Sequence, residues 1–221
     1  MKQSLLGVAV ALFLTAAAGA LAQAIAEERY EPDAASASQI TVEGTSTIHD
    51  WKAKGEVIHG HLILQEAYIA SLWSKLPSPQ KITPRVEVKI PVLSLKSGNS
   101  TLDKNMHKAL MVQEQPLITY RLEAAEIQPG RNDPEADTER QASIVVKGIL
   151  AVAGVSQAME IPVQVRRLPD NKLEVSGETI LRMTDFGINP PRLMMGVLRT
   201  GDEVHVRWTW VLIPAADQQP E

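Results

Sequence analysis

The chain has 221 residues, 44% of them hydrophobic, with no cysteine and a formal net charge of -4, the profile of one globular domain rather than a disordered, collagen-like or disulfide-stapled chain. Its acidic balance excludes a general nucleic-acid surface, which needs a basic excess. The lack of cysteine excludes disulfides, thiolate zinc sites, thiol nucleophiles and a lipid-modified cysteine, so any metal site must use His, Asp or Glu.

Lys2 leads into an uncharged apolar run, Leu5 to Leu14, which grades into small residues ending at Ala20-Leu21-Ala22. This is the three-part pattern of a secretory signal peptide over 1–22, with cleavage expected before Gln23 and a periplasmic or secreted destination. The uncharged stretch from Gln3 to Ala26 is also just long enough for an uncleaved anchor. No later segment is apolar enough to cross a membrane, so no stable span is expected after cleavage. Residues 23–39 are acidic and rich in Ala and Ser without an apolar period, and read as a flexible leader.

From Ile40 onward the apolar period is two. Ile40/Val42, Val86/Val88/Ile90, Ile118/Tyr120/Leu122, Met159/Ile161/Val163/Val165 and Val204/Val206/Trp208/Trp210/Leu212 alternate with polar neighbours, as strands with one buried face do. Eight strands are predicted, at 40–48, 53–66, 84–93, 117–127, 142–152, 156–167, 172–182 and 203–213. Ala153-Gly154 and Pro169-Asp170-Asn171 supply turns between neighbours. The stretch Ser143 to Val152 is apolar at both parities, which predicts a strand covered on its outer face as well.

One helix is predicted over Thr101 to Val112. Ser100 precedes Asp103 by three, resembling a capping box, and Leu102, Met106, Ala109 and Leu110 form one stripe. Gln115-Pro116 ends it. Eight strands and one short amphipathic helix predict an all-β fold, an eight-stranded antiparallel barrel over 40–213 with 214–221 as a disordered tail, because closure removes exposed edges. A two-sheet sandwich is the alternative. A barrel of this size either fills its lumen with side chains or holds one small ligand.

No catalytic constellation is evident. His49-Asp50 lacks a converging nucleophile, since no serine carries nucleophile-elbow glycines. His59 and His61 share one side of a strand, and with His205 they present three imidazoles, but no acidic residue at matching spacing completes a metal site. His107 lies within the helix. The aromatics beyond the leader are few, and Trp208 and Trp210 share one strand face with Val204, Val206 and Leu212. That face is either ordinary core or one wall of an apolar cavity. Met106, Met111, Met183, Met194 and Met195 add adaptable apolar surface.

Several separated blocks resemble the YceI-like family of secreted, lipocalin-like barrels over about Ile40 to Ile213. They are Gly44-Thr-Ser-Thr-Ile-His-Asp-Trp51, the strand, loop and helix block from Val86 to Leu110, Pro116-Leu-Ile-Thr-Tyr120, Val146 to Val163, and Met183-Thr-Asp-Phe-Gly-Ile-Asn-Pro-Pro191. Their shared order and spacing carry the resemblance. It departs at Met111-Val112, where relatives often have an aromatic pair, and at Arg182, which stands three positions ahead of Asp185. The resemblance implies an elongated barrel enclosing a tunnel for a polyisoprenoid, quinone-type molecule or other long-chain lipid, without catalysis or cofactor. Carried over residue by residue, it implies apolar lining by Trp51, Met106, Leu110, Phe186, Trp208 and Trp210. A homodimer is compatible with this reading. The alternative is a side-chain-filled barrel serving as a stress-response or protein-interaction module.

Overall fold

The strands close on themselves. In the computed structural model, which describes residues 27–73, 84–128, 141–193 and 198–215, the chain runs β1 (Glu27–Pro32), β2 (Gln39–Ser46), β3 (Trp51–Gly55), β4 (His59–Gln65), α1 (Glu66–Leu72), β5 (Arg85–Pro91), α2 (Ser100–Ala109), β6 (Leu117–Ile127), β7 (Gln141–Val152), β8 (Val155–Arg167), β9 (Leu173–Arg182), β10 (Arg192–Leu193) and β11 (Leu198–Pro214). Successive pairings follow the order β1-β4-β5-β6-β7-β8-β9-β11, and β11 returns to β1. Tyr30 makes the closure, opposite Leu62 on one side and Pro214 on the other. All these pairs are antiparallel, which is the eight-stranded barrel that the alternation predicts. The sandwich alternative is excluded.

The inward residues of the eight barrel strands meet in one core, from Tyr30, Leu62 and Leu64 through Ile144, Ile161 and Val163 to Val206, Trp210 and Leu212. The β7–β8 hairpin turns at Ala153 and Gly154, with φ of 50° and 82°. Both central residues there are left-handed, as the twist of a two-residue hairpin requires. Asp170 and Asn171 turn β8 into β9 in the same conformation, which short polar side chains tolerate.

Several boundaries differ from the sequence expectation. The stretch 23–39 is not wholly a leader, because Glu27–Pro32 forms β1. It escapes a periodicity search because only Tyr30 is apolar and buried, while β4 and β11 satisfy its backbone on both edges. The predicted strand 53–66 is two pieces, β3 pairing with β2 and β4 pairing with β1. It ends in a helix, α1, that the alternation did not reveal. Tyr68 and Leu72, four residues apart, are its buried stripe. The predicted helix 101–112 is shorter, since Met111 takes a φ of 54° and ends it. Its cap is Asn99 rather than Ser100, the Asn99 Oδ1 accepting from the Thr101 and Leu102 N–H groups at 3.0 and 3.1 Å. No described helix covers the outer face of β7; α2 lies across the barrel end instead, where Leu102, Met106 and Leu110 reach the interior. The expected tail begins in order, with Pro214 in β11 and the Ala215 N–H bonded to Arg29 O at 2.7 Å. The expected signal segment 1–22 and residues 216–221 lie outside the described residues.

Candidate functional site

The barrel is not filled. A cavity of about 350 Å³ runs through its interior, within the usual range for small-molecule sites, about 300–1,000 Å³. Its wall is built from the inward parity of the strands: Val86, Val88 and Ile90 of β5, Ile144 and Val146 of β7, Ile161, Val163 and Val165 of β8, and Val204, Val206, Trp208 and Trp210 of β11. All six residues expected as lining, Trp51, Met106, Leu110, Phe186, Trp208 and Trp210, border this space.

Glycines place three of the aromatics. Gly44 stands opposite Trp51, and Gly177 opposite Trp208. In each pair the indole fills the position that a glycine Cβ would take. Gly148 lies diagonally across from Tyr120 and leaves room for its ring in the same way. Each ring is thus held across the inner face of a neighbouring strand by the absence of a side chain there.

The two ends differ. At one end α1 inserts Tyr68 and Leu72, which are 4% and 1% exposed, and both border the cavity. The other end is covered by α2 and by the turn Met183–Phe186, whose Phe186 is buried in a small cluster with Val152, Ala153 and Ile188. Asn105 on α2, Thr179 and Arg182 toward the end of β9, and Thr200 near the start of β11 are the polar lining residues found at this second end. α2 is tied down by His107, a buried residue whose Nε2–H donates to Leu95 O at 2.8 Å. A carbonyl can only accept, which assigns the proton to Nε2.

Within the apolar wall are donors that no described residue satisfies. The Nε1 groups of Trp51 and Trp210 and the hydroxyls of Tyr68 and Tyr120 are buried without a protein partner, and all four residues border the cavity. Burial pushes the Tyr68 and Tyr120 hydroxyls up to about 12, with Glu123 adding to the effect at Tyr120. Both therefore remain protonated donors at neutral pH. An apolar lumen lined by unpaired donors suits a largely hydrocarbon ligand that carries hydrogen-bond acceptors.

The other sequence candidates lie elsewhere. His49 and Asp50 are exposed in the β2–β3 turn, where Ser46 Oγ donates to the His49 carbonyl at 2.6 Å. His59 and His61 stand opposite Lys89 and Glu87, whereas His205 is opposite Ile180 and Glu43, so the fold does not assemble the three imidazoles. Among the described residues no group of three His, Asp or Glu side chains is placed to hold a metal. Sequence reasoning missed Tyr68, Arg182, Asn105, Thr179 and Thr200 as lining. Tyr120 was legible, since it shares inward parity with Ile118 and Leu122.

Comparison with known proteins agrees with this architecture. No curated protein sequence matches the chain. Among solved structures, Burkholderia cenocepacia BcnA is similar with a TM-score of 0.60 and 16% identity, covering 81% of this chain and 98% of its own. A polyisoprenoid binding domain from Saccharophagus degradans, implicated in plant cell wall breakdown, has a TM-score of 0.59 and 14% identity, covering 84% and 98%. A Campylobacter jejuni YCEI protein has a TM-score of 0.53 and 15% identity, covering 77% and 88%. At these identities the likeness establishes the shared fold. The model of the YceI-like domain matches residues 30–212, from the strand that closes the barrel to the last strand that lines it, and the chain belongs to the YceI-like domain family.

Proposed function

We propose that this protein is a non-catalytic carrier that holds one long apolar chain, of the polyisoprenoid, quinone-type or related lipid class, in the barrel lumen. The observation that carries the reading is the continuous apolar cavity bordered by Trp51, Tyr68, Tyr120 and Trp210 with their unpaired donors. Each CH₂ removed from water stabilises the bound chain by about 0.8 kcal/mol, so a chain of modest length is held without any charged contact. The donors would serve acceptor atoms on the ligand. The described polyisoprenoid binding of a structural relative points to the same class.

The signal-like pattern of 1–22 supports a periplasmic or extracellular setting for this carrier, where water offers a free prenyl chain no shelter. The test is a titration of the purified, delipidated protein with a prenol, read by tryptophan fluorescence. Saturable quenching near stoichiometry is expected for the wild type, and its loss is expected when the lumen is narrowed by Val206→Phe. Absence of a wild-type response, together with no lipid extractable from gently purified protein, would contradict the carrier reading and favour a protein-interaction module that holds no ligand.

A further inference from the structure

Exposed apolar side chains are unevenly placed on the barrel. Ile48, Val57, Leu93, Met111, Leu117 and Ile180 are the large ones exposed among the described residues. Four of them gather at the α2 end. Ile48, 68% exposed, lies in the β2–β3 turn; Leu93, 59% exposed, follows β5; Met111 follows α2; Leu117 opens β6. Leu93 and Leu117 are held side by side, because the Val92 N–H bonds to Pro116 O at 2.9 Å and Pro91 pairs with Leu117. The α1 end carries no exposed large apolar side chain among the described residues.

The lysines divide by whether a carboxylate faces them. Lys52, Lys89, Lys147 and Lys172 each face a carboxylate within 3.3 Å. Lys54, Lys96, Lys104 and Lys108 form no ion pair with a described residue. These four are neighbours in the fold. Lys54 and Lys96 pair backbone to backbone at 2.8 and 2.7 Å, and Lys104 and Lys108 are exposed one turn apart on the helix that begins four residues after Lys96. Of the acids in this stretch, Asp103 is part-buried, its Oδ1 accepting from the Ser97 N–H and Oγ at 2.7 and 2.6 Å, and Lys96 adds to the charge that holds its carboxyl low. Glu114, Asp50 in the β2–β3 turn and Asp185 in the Met183–Phe186 turn are exposed acids at the same end, and Asp202 accepts from the Thr184 N–H and Oγ1 at 2.9 and 2.7 Å. A protein of net charge -4 thus keeps lysines that form no ion pair with a described residue beside its exposed apolar residues, at the end of the cavity where polar lining residues collect.

We propose that the α2 end docks on an anionic lipid bilayer, with Leu93, Met111 and Leu117 entering the headgroup region and Lys96, Lys104 and Lys108 resting on anionic headgroups. The proposal rests on the carrier reading, since a water-insoluble chain must pass between a leaflet and the lumen without crossing open water. Lysines near an anionic surface each add attraction, and shallow apolar anchors add area. A second copy of this chain fits less well, because a twofold contact would set the same lysines against each other.

The test is flotation of the purified protein with vesicles of phosphatidylcholine containing phosphatidylglycerol, against vesicles of phosphatidylcholine alone, at low and high salt. Flotation with the anionic vesicles alone, suppressed by salt, is expected. Lys104→Glu combined with Lys108→Glu should weaken it at least about ten-fold, as should Leu93→Ser with Met111→Ser, whereas Lys147→Glu on the barrel flank should leave it unchanged. Flotation with neither vesicle, equal flotation with both, or full binding by the lysine double variant would overturn the proposal. So would a concentration-dependent dimer that the same variant dissolves. Vesicle binding is scored without reference to prenol uptake, so failure of docking and failure of carriage are separate results.

Discussion

Gly177 and Trp208 stand directly opposite each other on β9 and β11, and a Cβ on the glycine would lie 2.5 Å from the indole Cζ2. The ring crosses its neighbour strand only because that strand has no side chain there. Gly177→Ala must therefore displace the indole into the lumen or push the strands apart. Overpacking of this kind costs about 1–3 kcal/mol. The expected result is a lower denaturation midpoint with a shifted tryptophan emission and weaker prenol quenching; unchanged emission would show that the ring is not held by the glycine.

The bond from His107 to Leu95 O fastens α2 across the barrel end. His107→Ala leaves a buried carbonyl without its donor, at a cost of about 1–3 kcal/mol. Amide exchange should quicken in α2 more than in β7 or β8, and bound chain should exchange faster. Uniform loss of protection over the whole barrel would mean that His107 supports the fold at large rather than this helix.

Acid stability carries the signature of Asp33. Lys172 donates to its Oδ2 at 2.7 Å, and Ser36 and the Ala35 N–H add further bonds, which hold the carboxyl at about 2. A carboxyl with a lowered folded-state pKa stabilises above its unfolded value, near 3.9, and that contribution is lost as pH falls through both values. The wild type should therefore lose stability between about pH 4 and pH 2, and Asp33→Asn should be less stable at neutral pH with a flatter acid limb. Parallel acid limbs for the two proteins would contradict this assignment.

At the alkaline side the sign reverses. Tyr68 is held neutral by burial, with its hydroxyl pushed up to about 12. Its folded-state pKa is raised, so its contribution is present below the unfolded value of about 10 and declines as pH rises toward 12. Tyr68→Phe removes that decline and an unpaired buried hydroxyl together. Ligand-free Tyr68→Phe should match or exceed the wild type in stability, while its affinity for a ligand bearing an acceptor should fall. A marked loss of stability in the ligand-free variant would reveal a partner for the hydroxyl.

The strands β5 to β9 and most of β11 were legible because burial on one face writes a period of two, as in Val204 to Leu212, whereas the two-residue β10 and the first residues of β11, from Leu198, were not. β1 was not, since its order comes from backbone pairing on both edges and leaves almost no side-chain pattern. α1 was hidden behind β4, whose alternation runs directly into it at Gln65. For the site, Trp51, Trp208 and Trp210 could be named from strand parity and family resemblance, but Tyr68 needed α1. Asn105, Arg182 and Thr200 needed the barrel to close, because residues from α2, β9 and β11 become one rim only in three dimensions. The glycines opposite Trp51 and Trp208 required the register, which alternation alone does not supply.

The central claim is that the lumen carries a lipid, and native mass spectrometry of gently purified protein tests it most directly. Comparing the native and denatured masses should reveal a discrete adduct, released on unfolding, whose mass fits a chain of repeated five-carbon units with an acceptor-bearing end. A bare mass before and after challenge with prenyl lipids would contradict the account.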